Sequence, residues 1–168
     1  MKIPKINSRN LFYESGVHIG DGSMMSDKSY NSVVSYWGDA RKDHKYFNDV
    51  LIPLLNKLYG LKPRINRFEN TLCLRIYNKD LVYFKSKRLK LPLEQKSKLK
   101  FIPKIFLSKK KHIFYLISGI FDTDGTVKII KRKDKVYPRL RITLNNKGID
   151  VSGNDNHGNL INGAKWFP

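Results

Sequence analysis

A single cysteine, Cys73, occurs in the 168 residues of this chain. One thiol excludes an intrachain disulfide and fits a reducing, cytoplasmic compartment. No apolar run approaches the roughly 18 residues of a membrane span, so no transmembrane helix and no membrane partner are expected. Met1 to Asn10 lacks the apolar centre of a signal peptide. The four histidines, His18, His44, His112 and His157, have no metal-ligand spacing and only one cysteine to join them, which argues against a zinc site. A glycine-rich phosphate loop and a nucleophilic triad are absent too. Acidic residues are scarce, 14 against 33 Lys and Arg, for a net charge of +19.

That surplus opposes compaction, and a polyanion relieves it. Nucleic acid is the first expectation, ahead of an anionic membrane surface or ribosomal RNA. With 40% hydrophobic residues the chain can bury a sizeable core. Its length suits one domain, or two small halves sharing a core.

Against this background a short motif occurs twice. Residues 14–22 read Glu-Ser-Gly-Val-His-Ile-Gly-Asp-Gly, and residues 117–125 read Ile-Ser-Gly-Ile-Phe-Asp-Thr-Asp-Gly. Both end in Asp-Gly, at Asp21-Gly22 and Asp124-Gly125, 103 residues apart. A repeat at the spacing of a small folded unit implies two copies of one module, each contributing a carboxylate.

The intervening pattern supports this. A helix is predicted from the N-cap Ser8 to about Gly20, then a strand at 30–37, with Gly22 to Lys28 as a possible partner strand. Apolar spacing predicts a helix over 43–59 that stops at Gly60 and is kinked or split by Pro53. Strands at 62–68 and 71–77 form a hairpin around Glu69-Asn70. A short helix covers 79–90. Residues 91–107 read as a linker, and segment 85–111 holds eleven Lys or Arg and one Glu. A second motif helix starts near Ser108, followed by strands at 126–132 and 137–145. The domain reading is therefore a first repeat at 1–90, a basic linker at 91–107, a second repeat at 108–147 and an atypical Gly/Asn-rich tail at 148–168. Only 43 residues follow Gly125, so the second repeat reads as incomplete, as a truncated or frameshifted gene would leave it.

Small residues on one face of each motif helix permit close packing: Gly16 and Gly20 on the first, Ser118 or Gly119 and Thr123 on the second. Packed in parallel, the helices would end together and bring Asp21 near Asp124. Two carboxylates at negative helix ends resist ionisation unless a cation joins them. Oxygen ligands suit Mg²⁺ or a similar hard cation, and metal-assisted phosphodiester hydrolysis follows. The alternative for either copy is a plain helix-terminating turn.

Val17-His18-Ile19-Gly20-Asp21-Gly22-Ser23 and Leu116-Ile117-Ser118-Gly119-Ile120-Phe121-Asp122-Thr123-Asp124-Gly125, with Pro53 to Gly60, Leu72 to Ile76 and Leu89 to Lys98, resemble the LAGLIDADG homing endonucleases in their single-chain, two-motif form, over about residues 1–147. The resemblance implies an α+β fold of repeated α-β-β-α-β-β-α modules, with antiparallel sheets forming a saddle over double-stranded DNA. It implies a monomer with pseudo-dimeric halves that cuts both strands at a long asymmetric site, encoded within an intron or an intein. By position, Asp21 and Asp124 match the metal-binding carboxylates that hold Mg²⁺ (or Mn²⁺). Gly20 and Thr123 match positions that offer backbone carbonyls. Lys147, and less closely Lys128, match a lysine near the metals; Arg41 and Lys42 stand at the corresponding place in the first half. Rival readings are an RNA-binding intron-splicing factor on the same fold, a decayed nucleic-acid-binding remnant, and a basic ribosome-associated protein.

Other residues carry weaker signals. Arg75, Arg139 and Arg141 fall on exposed strand faces that could meet a DNA groove or its backbone. Lys131 and Arg132 lie in a basic turn. The run Lys109 to His112 suits either phosphate contact or a solvated helix start. His18 is expected to pack beside the motif, and Trp37, Tyr77 and Tyr83 to sit in the core or on a sheet face.

Overall fold

The structure is a computed structural model, and it describes residues 1–26, 32–93, 102–108, 110–130 and 139–144, the last two strands by backbone only. Helix α1 (Arg9–Asp21) begins where Ser8 accepts a hydrogen bond from the Leu11 amide at 3.2 Å. It runs directly into β1 (Gly22–Ser26), which pairs antiparallel with β2 (Ser32–Asp39). The helical stretch that follows is split, as Pro53 requires. A turn, α2 (His44–Tyr46), passes into a π-helical segment (Phe47–Leu51) and then into α3 (Ile52–Tyr59). The wider turn makes room for the proline ring and its missing N–H. Gly60 ends α3 at φ 67, a left-handed conformation that suits glycine.

Strands β3 (Arg64–Phe68) and β4 (Thr71–Tyr77) form the expected hairpin, with Glu69 in the turn at φ 49. The sheet order is β1-β2-β4-β3. Helix α4 (Lys79–Tyr83), capped by Asn78, continues as a π-helical turn (Phe84–Arg88). Part of the expected linker is core: Leu91, Ile102 and Phe106 are buried, and 104–107 form the short helix α5 (Lys104–Leu107). Helix α6 (Lys110–Asp124) carries the second motif, and the hairpin of β5 (Gly125–Ile130) and β6 (Arg139–Leu144) follows. No helix among the described residues is long and apolar enough to cross a membrane.

One face of the four-stranded sheet packs on the helices. Tyr36, Val34, Leu72, Leu74 and Ile76 point into a core with Leu11, Phe12, Leu51, Leu55, Leu81, Leu116 and Ile120. At its centre lies a buried polar cluster. Glu14 and Lys85 are both fully buried, and Lys85 Nζ stands 2.6 Å from Glu14 Oε1. The Tyr36 hydroxyl donates to the same carboxylate oxygen, and the Tyr59 hydroxyl donates to Oε2 at 2.6 Å. The ammonium also lies 5.9 Å and 5.8 Å from the centres of the two tyrosine rings. These four side chains tie α1, β2, α3 and the turn after α4 to one point. A buried charge pair is costly unless its hydrogen-bonding capacity is met; the two tyrosine hydroxyls serve the Glu14 carboxylate, and their ring faces lie against the Lys85 ammonium.

Candidate active site and sheet face

Helices α1 and α6 lie side by side and parallel. A Cβ at Gly16 would run into the Leu116 carbonyl and stand 3.0 Å from the Ile120 amide nitrogen. A Cβ at Gly119 would run into the Tyr13 carbonyl and stand 2.8 Å from the Val17 amide nitrogen. The two glycines therefore let one backbone rest on the other. One turn further on, a Cβ at Gly20 would collide with the Thr123 hydroxyl and lie 3.5 Å from Asp124 Oδ2. Asp21 and Asp124 are the last residues of the paired helices, each half-buried, and the carboxylate of one motif borders the backbone of the other.

Gly22 and Gly125 are not left-handed helix caps. Gly22 is extended, with φ −79 and ψ 158, and opens β1 as Gly125 opens β5. The requirement is space: a Cβ at Gly22 would strike the His18 ring, and one at Gly125 would strike the Phe121 ring and carbonyl. The same local geometry is thus built twice, with His18 and Phe121 in matching places. His18 is buried edge-on to Tyr36, with ring centres 5.6 Å apart.

One difference between the motifs carries a contact across the helix pair. Asp122 occupies the place of Ile19, and its carboxylate accepts a hydrogen bond from the Tyr13 hydroxyl at 2.5 Å. The Tyr13 and Tyr46 hydroxyls are 3.1 Å apart. Burial, then the Asp122 bond, pushes the Tyr13 phenol up to about 12. Tyr46 is raised further, by burial first, by its bond to Tyr13 next, and by the fields of Asp122 and Asp21. This link across the helix pair was not visible in the sequence; the Asp122/Ile19 mismatch was its only trace.

Gly20 and Thr123 each stand one residue before the terminal aspartate. The Thr123 hydroxyl is turned back on its own helix, 2.9 Å from the Ile120 carbonyl and 3.1 Å from that of Gly119. Two carboxylates, neighbouring backbone carbonyls and water make an all-oxygen donor set, which fits Mg²⁺ or Mn²⁺. Among the described residues no group of three or more His, Cys, Asp or Glu converges on one point.

Arg41 and Lys42 lie in the exposed turn after β2, where their amides donate to Asp39 Oδ1 at 2.8 Å and 3.1 Å. Those two bonds hold the Asp39 carboxyl below its usual range. Tyr36 pairs with Gly22 and Leu144 with Gly125. Counting onward from each, Lys147 corresponds to Asp39, so the first half carries no lysine at that count. Lys147, Lys131 and Arg132 lie outside the described residues, as do residues 148–168. Lys128 faces Arg141 across β5 and β6, and Arg139 faces Ile130, by backbone register. Lys110 and Lys111 are exposed, whereas His112 is buried edge-on to Phe12.

The outer face of the four-stranded sheet carries Trp37, Arg75, Tyr77, Arg64 and Phe68. Tyr83 departs from expectation: it is exposed on α4, neither core nor sheet.

No protein-family profile matches the chain, and no curated protein matches it significantly. Solved structures do. The chain is similar to mesophilic variants of the homing endonuclease I-DmoI at 18% identity and a TM-score of 0.53, over 70% of this chain and 58% of that one. It is similar to I-DmoI in complex with DNA and Mn at 18% identity and a TM-score of 0.55, over 73% and 64%. I-DmoI in complex with DNA and Ca gives 18% and 0.53, over 70% and 58%. The match therefore spans less than two thirds of those chains. The fold is that of the LAGLIDADG homing endonucleases, the family the two motifs resemble.

Proposed function

We propose that this protein is a metal-dependent endonuclease that binds double-stranded DNA and breaks both strands at a long asymmetric site, as a homing endonuclease of an intron or intein. One observation carries the reading. Two parallel helices, in backbone contact through Gly16 and Gly119, end side by side in Asp21 and Asp124, and each continues into a strand. Such a seam repeats one chemical group about a pseudo-two-fold axis, as a reaction on two antiparallel strands requires.

In this reading Asp21 and Asp124 hold Mg²⁺ (or Mn²⁺), with the carbonyls of Gly20 and Thr123 as further oxygen donors. The bound cation supplies Lewis acidity toward the phosphate and lowers the pKa of a coordinated water. The rigid helix seam fixes the separation of the two carboxylates. Lys147 and Lys128 offset charge developing on the phosphate. Arg41, Lys42, Arg75, Lys131, Arg132, Arg139 and Arg141 neutralise or read the DNA, and binding weakens steeply with salt. The protein acts as a monomer with pseudo-symmetric halves, in the cytoplasm at the nucleoid.

The test is incubation with a plasmid library of random targets in Mg²⁺ and in Mn²⁺. Linear product with one defined pair of ends is expected. A folded protein that leaves every plasmid intact but binds structured RNA would instead be a splicing factor on this fold.

A further inference from the structure

At the 103-residue offset between the motifs, contacts along the helix pair fall into matched couples. Toward the helix starts, the Arg9 guanidinium carbon lies 5.6 Å from the centre of the Tyr115 ring. Its counterpart is Phe12 against His112, with the rings edge-on and their centres 5.3 Å apart. In the middle, Gly16 and Gly119 are counterparts, and each rests on the opposite backbone. The match fails at the end that carries the carboxylates. There Tyr13 of α1 donates to Asp122 of α6 at 2.5 Å. The two corresponding positions hold Leu116 and Ile19, whose side chains make no hydrogen bond.

This difference bears on what a glycine contact leaves undecided. Two backbones that meet through glycine approach closely, yet no side chain there fixes how far one helix is turned on the other. Apolar contact is non-directional, whereas a hydrogen bond weakens steeply as its angle departs from the line. Tyr13 has one hydroxyl proton, and Asp122 takes it. The Tyr46 hydroxyl, 3.1 Å away, is then the donor to Tyr13, and the chain runs from Tyr46 through Tyr13 to Asp122. It joins α2, α1 and α6. Both tyrosines pack against the core, so the donors stand on a fixed base, while the acceptor is an exposed carboxylate that water would satisfy equally well. The chain adjoins the paired carboxylates. Asp122 precedes Asp124 by two residues, and Tyr46 lies in the field of Asp21 as well as that of Asp122.

We propose that Tyr13, Tyr46 and Asp122 are positioning residues for the candidate metal site. Their hydrogen-bond chain sets how α6 is turned on α1, and with it the placement of Asp124 against Asp21. The assignment rests on the metal-dependent reading above. Asp122 acts here as an acceptor, not through its charge, and this fixes the sign of the effect. Removing the Tyr13 hydroxyl leaves the Asp122 charge less offset, which by electrostatics alone tightens the binding of a nearby cation. Loss of position weakens it.

The experiment is a titration of the full chain with Mn²⁺ in the absence of DNA, read by the electron paramagnetic resonance of the free ion, with circular dichroism to confirm each variant's fold. Wild type is expected to bind an ion that Asp21→Asn and Asp124→Asn both lose. Tyr13→Phe should weaken that binding on the order of 10-fold, the usual effect of a group that orients a metal ligand, and Tyr46→Phe should weaken it less. Asp122→Asn keeps an acceptor for Tyr13 and Asp122→Leu does not. The two lose the same charge, so Asp122→Asn should bind the ion more tightly than Asp122→Leu. Arg9→Gln breaks a contact at the opposite end of the same helix pair and should leave Mn²⁺ affinity unchanged. Unchanged or tighter binding by Tyr13→Phe, equal binding by the two Asp122 variants, or a matching loss in Arg9→Gln overturns the assignment while the metal reading stands. If wild type binds no ion that depends on Asp21 and Asp124, both fall.

Discussion

Gly119→Ala places one methyl group on the seam between the motif helices. Its carbon would overlap the Tyr13 carbonyl, approach the Val17 amide nitrogen to 2.8 Å and the Gly16 carbonyl carbon to 3.1 Å. All three neighbours are backbone of the facing helix, so no rotamer change makes room. Ordinary contact requires α1 and α6 to part by roughly 1 Å, and overpacking of this kind costs about 1–3 kcal/mol. For a chain of this size each kcal/mol lowers the melting temperature by about 2–4 °C. The expected fall is therefore roughly 2–12 °C. The functional effect is larger, because the same movement separates Asp21 from Asp124, and a displacement of about 1 Å at reacting groups can cost ~100-fold in rate. Ser118→Ala is the control, one residue away, exposed, and hydrogen-bonded only to its own helix at Phe114; it should melt within about 0.5 kcal/mol of wild type. Thermal melting followed by circular dichroism, beside plasmid cleavage, reads both effects. A Gly119→Ala protein that melts and cuts like wild type would refute the close contact on which the paired-carboxylate account depends.

Two further predictions concern the buried cluster. Glu14→Gln leaves the Lys85 ammonium buried without its counter-charge and should destabilise the fold by about 3–5 kcal/mol, whereas Glu14→Leu combined with Lys85→Met should recover much of that loss in chemical denaturation. Alkaline pH should weaken the fold. Tyr36 and Tyr59 are held well above their ordinary pKa by burial first and by Glu14 next, and Tyr13 and Tyr46 are raised mainly by burial. Their stabilising contribution is complete below the unfolded tyrosine value of about 10 and is lost as pH rises past it, because the unfolded chain releases protons that the folded one retains. Lys85, lowered by burial, contributes in the opposite sense over that range, but four phenols outweigh one amine. An ultraviolet titration should find these four tyrosines silent until the chain unfolds; ionisation of all nine near pH 10 in a folded protein would contradict the burial.

Much of this architecture was legible in the sequence because local chemistry set it. Ser8 caps α1, Pro53 splits its helix, Gly60 ends it, and Glu69-Asn70 turns the hairpin. The paired motif helices were legible through the spacing of Gly16, Gly20, Gly119 and Thr123, because small residues in register have few uses other than close approach. What was not legible depends on tertiary partners. Lys85 lies in a stretch crowded with lysines, and nothing local marks it as the one drawn into the core by Glu14. The expected linker contributes Ile102 and Phe106 to the core, because their burial depends on Phe12 and α6 and not on local periodicity. Arg75 gave an alternating strand signal, but of its two aromatic neighbours only Phe68 is local, across the hairpin, while Trp37 comes from β2. The Tyr13–Asp122 bond spans 109 residues and was equally hidden. The motif glycines were legible as punctuation but not in cause: Gly22 and Gly125 are required by the rings of His18 and Phe121, not by a left-handed turn.

The central claim is that Asp21 and Asp124 together form one metal-dependent cutting site. Asp21→Asn and Asp124→Asn, each assayed for plasmid cleavage in Mg²⁺ beside wild type, test it most directly, with circular dichroism to confirm the fold. The account predicts that either substitution alone lowers cleavage by roughly 1,000-fold, the several kcal/mol that cation-assisted charge stabilisation supplies, while duplex binding persists. Cleavage at the wild-type rate by either folded variant would contradict it.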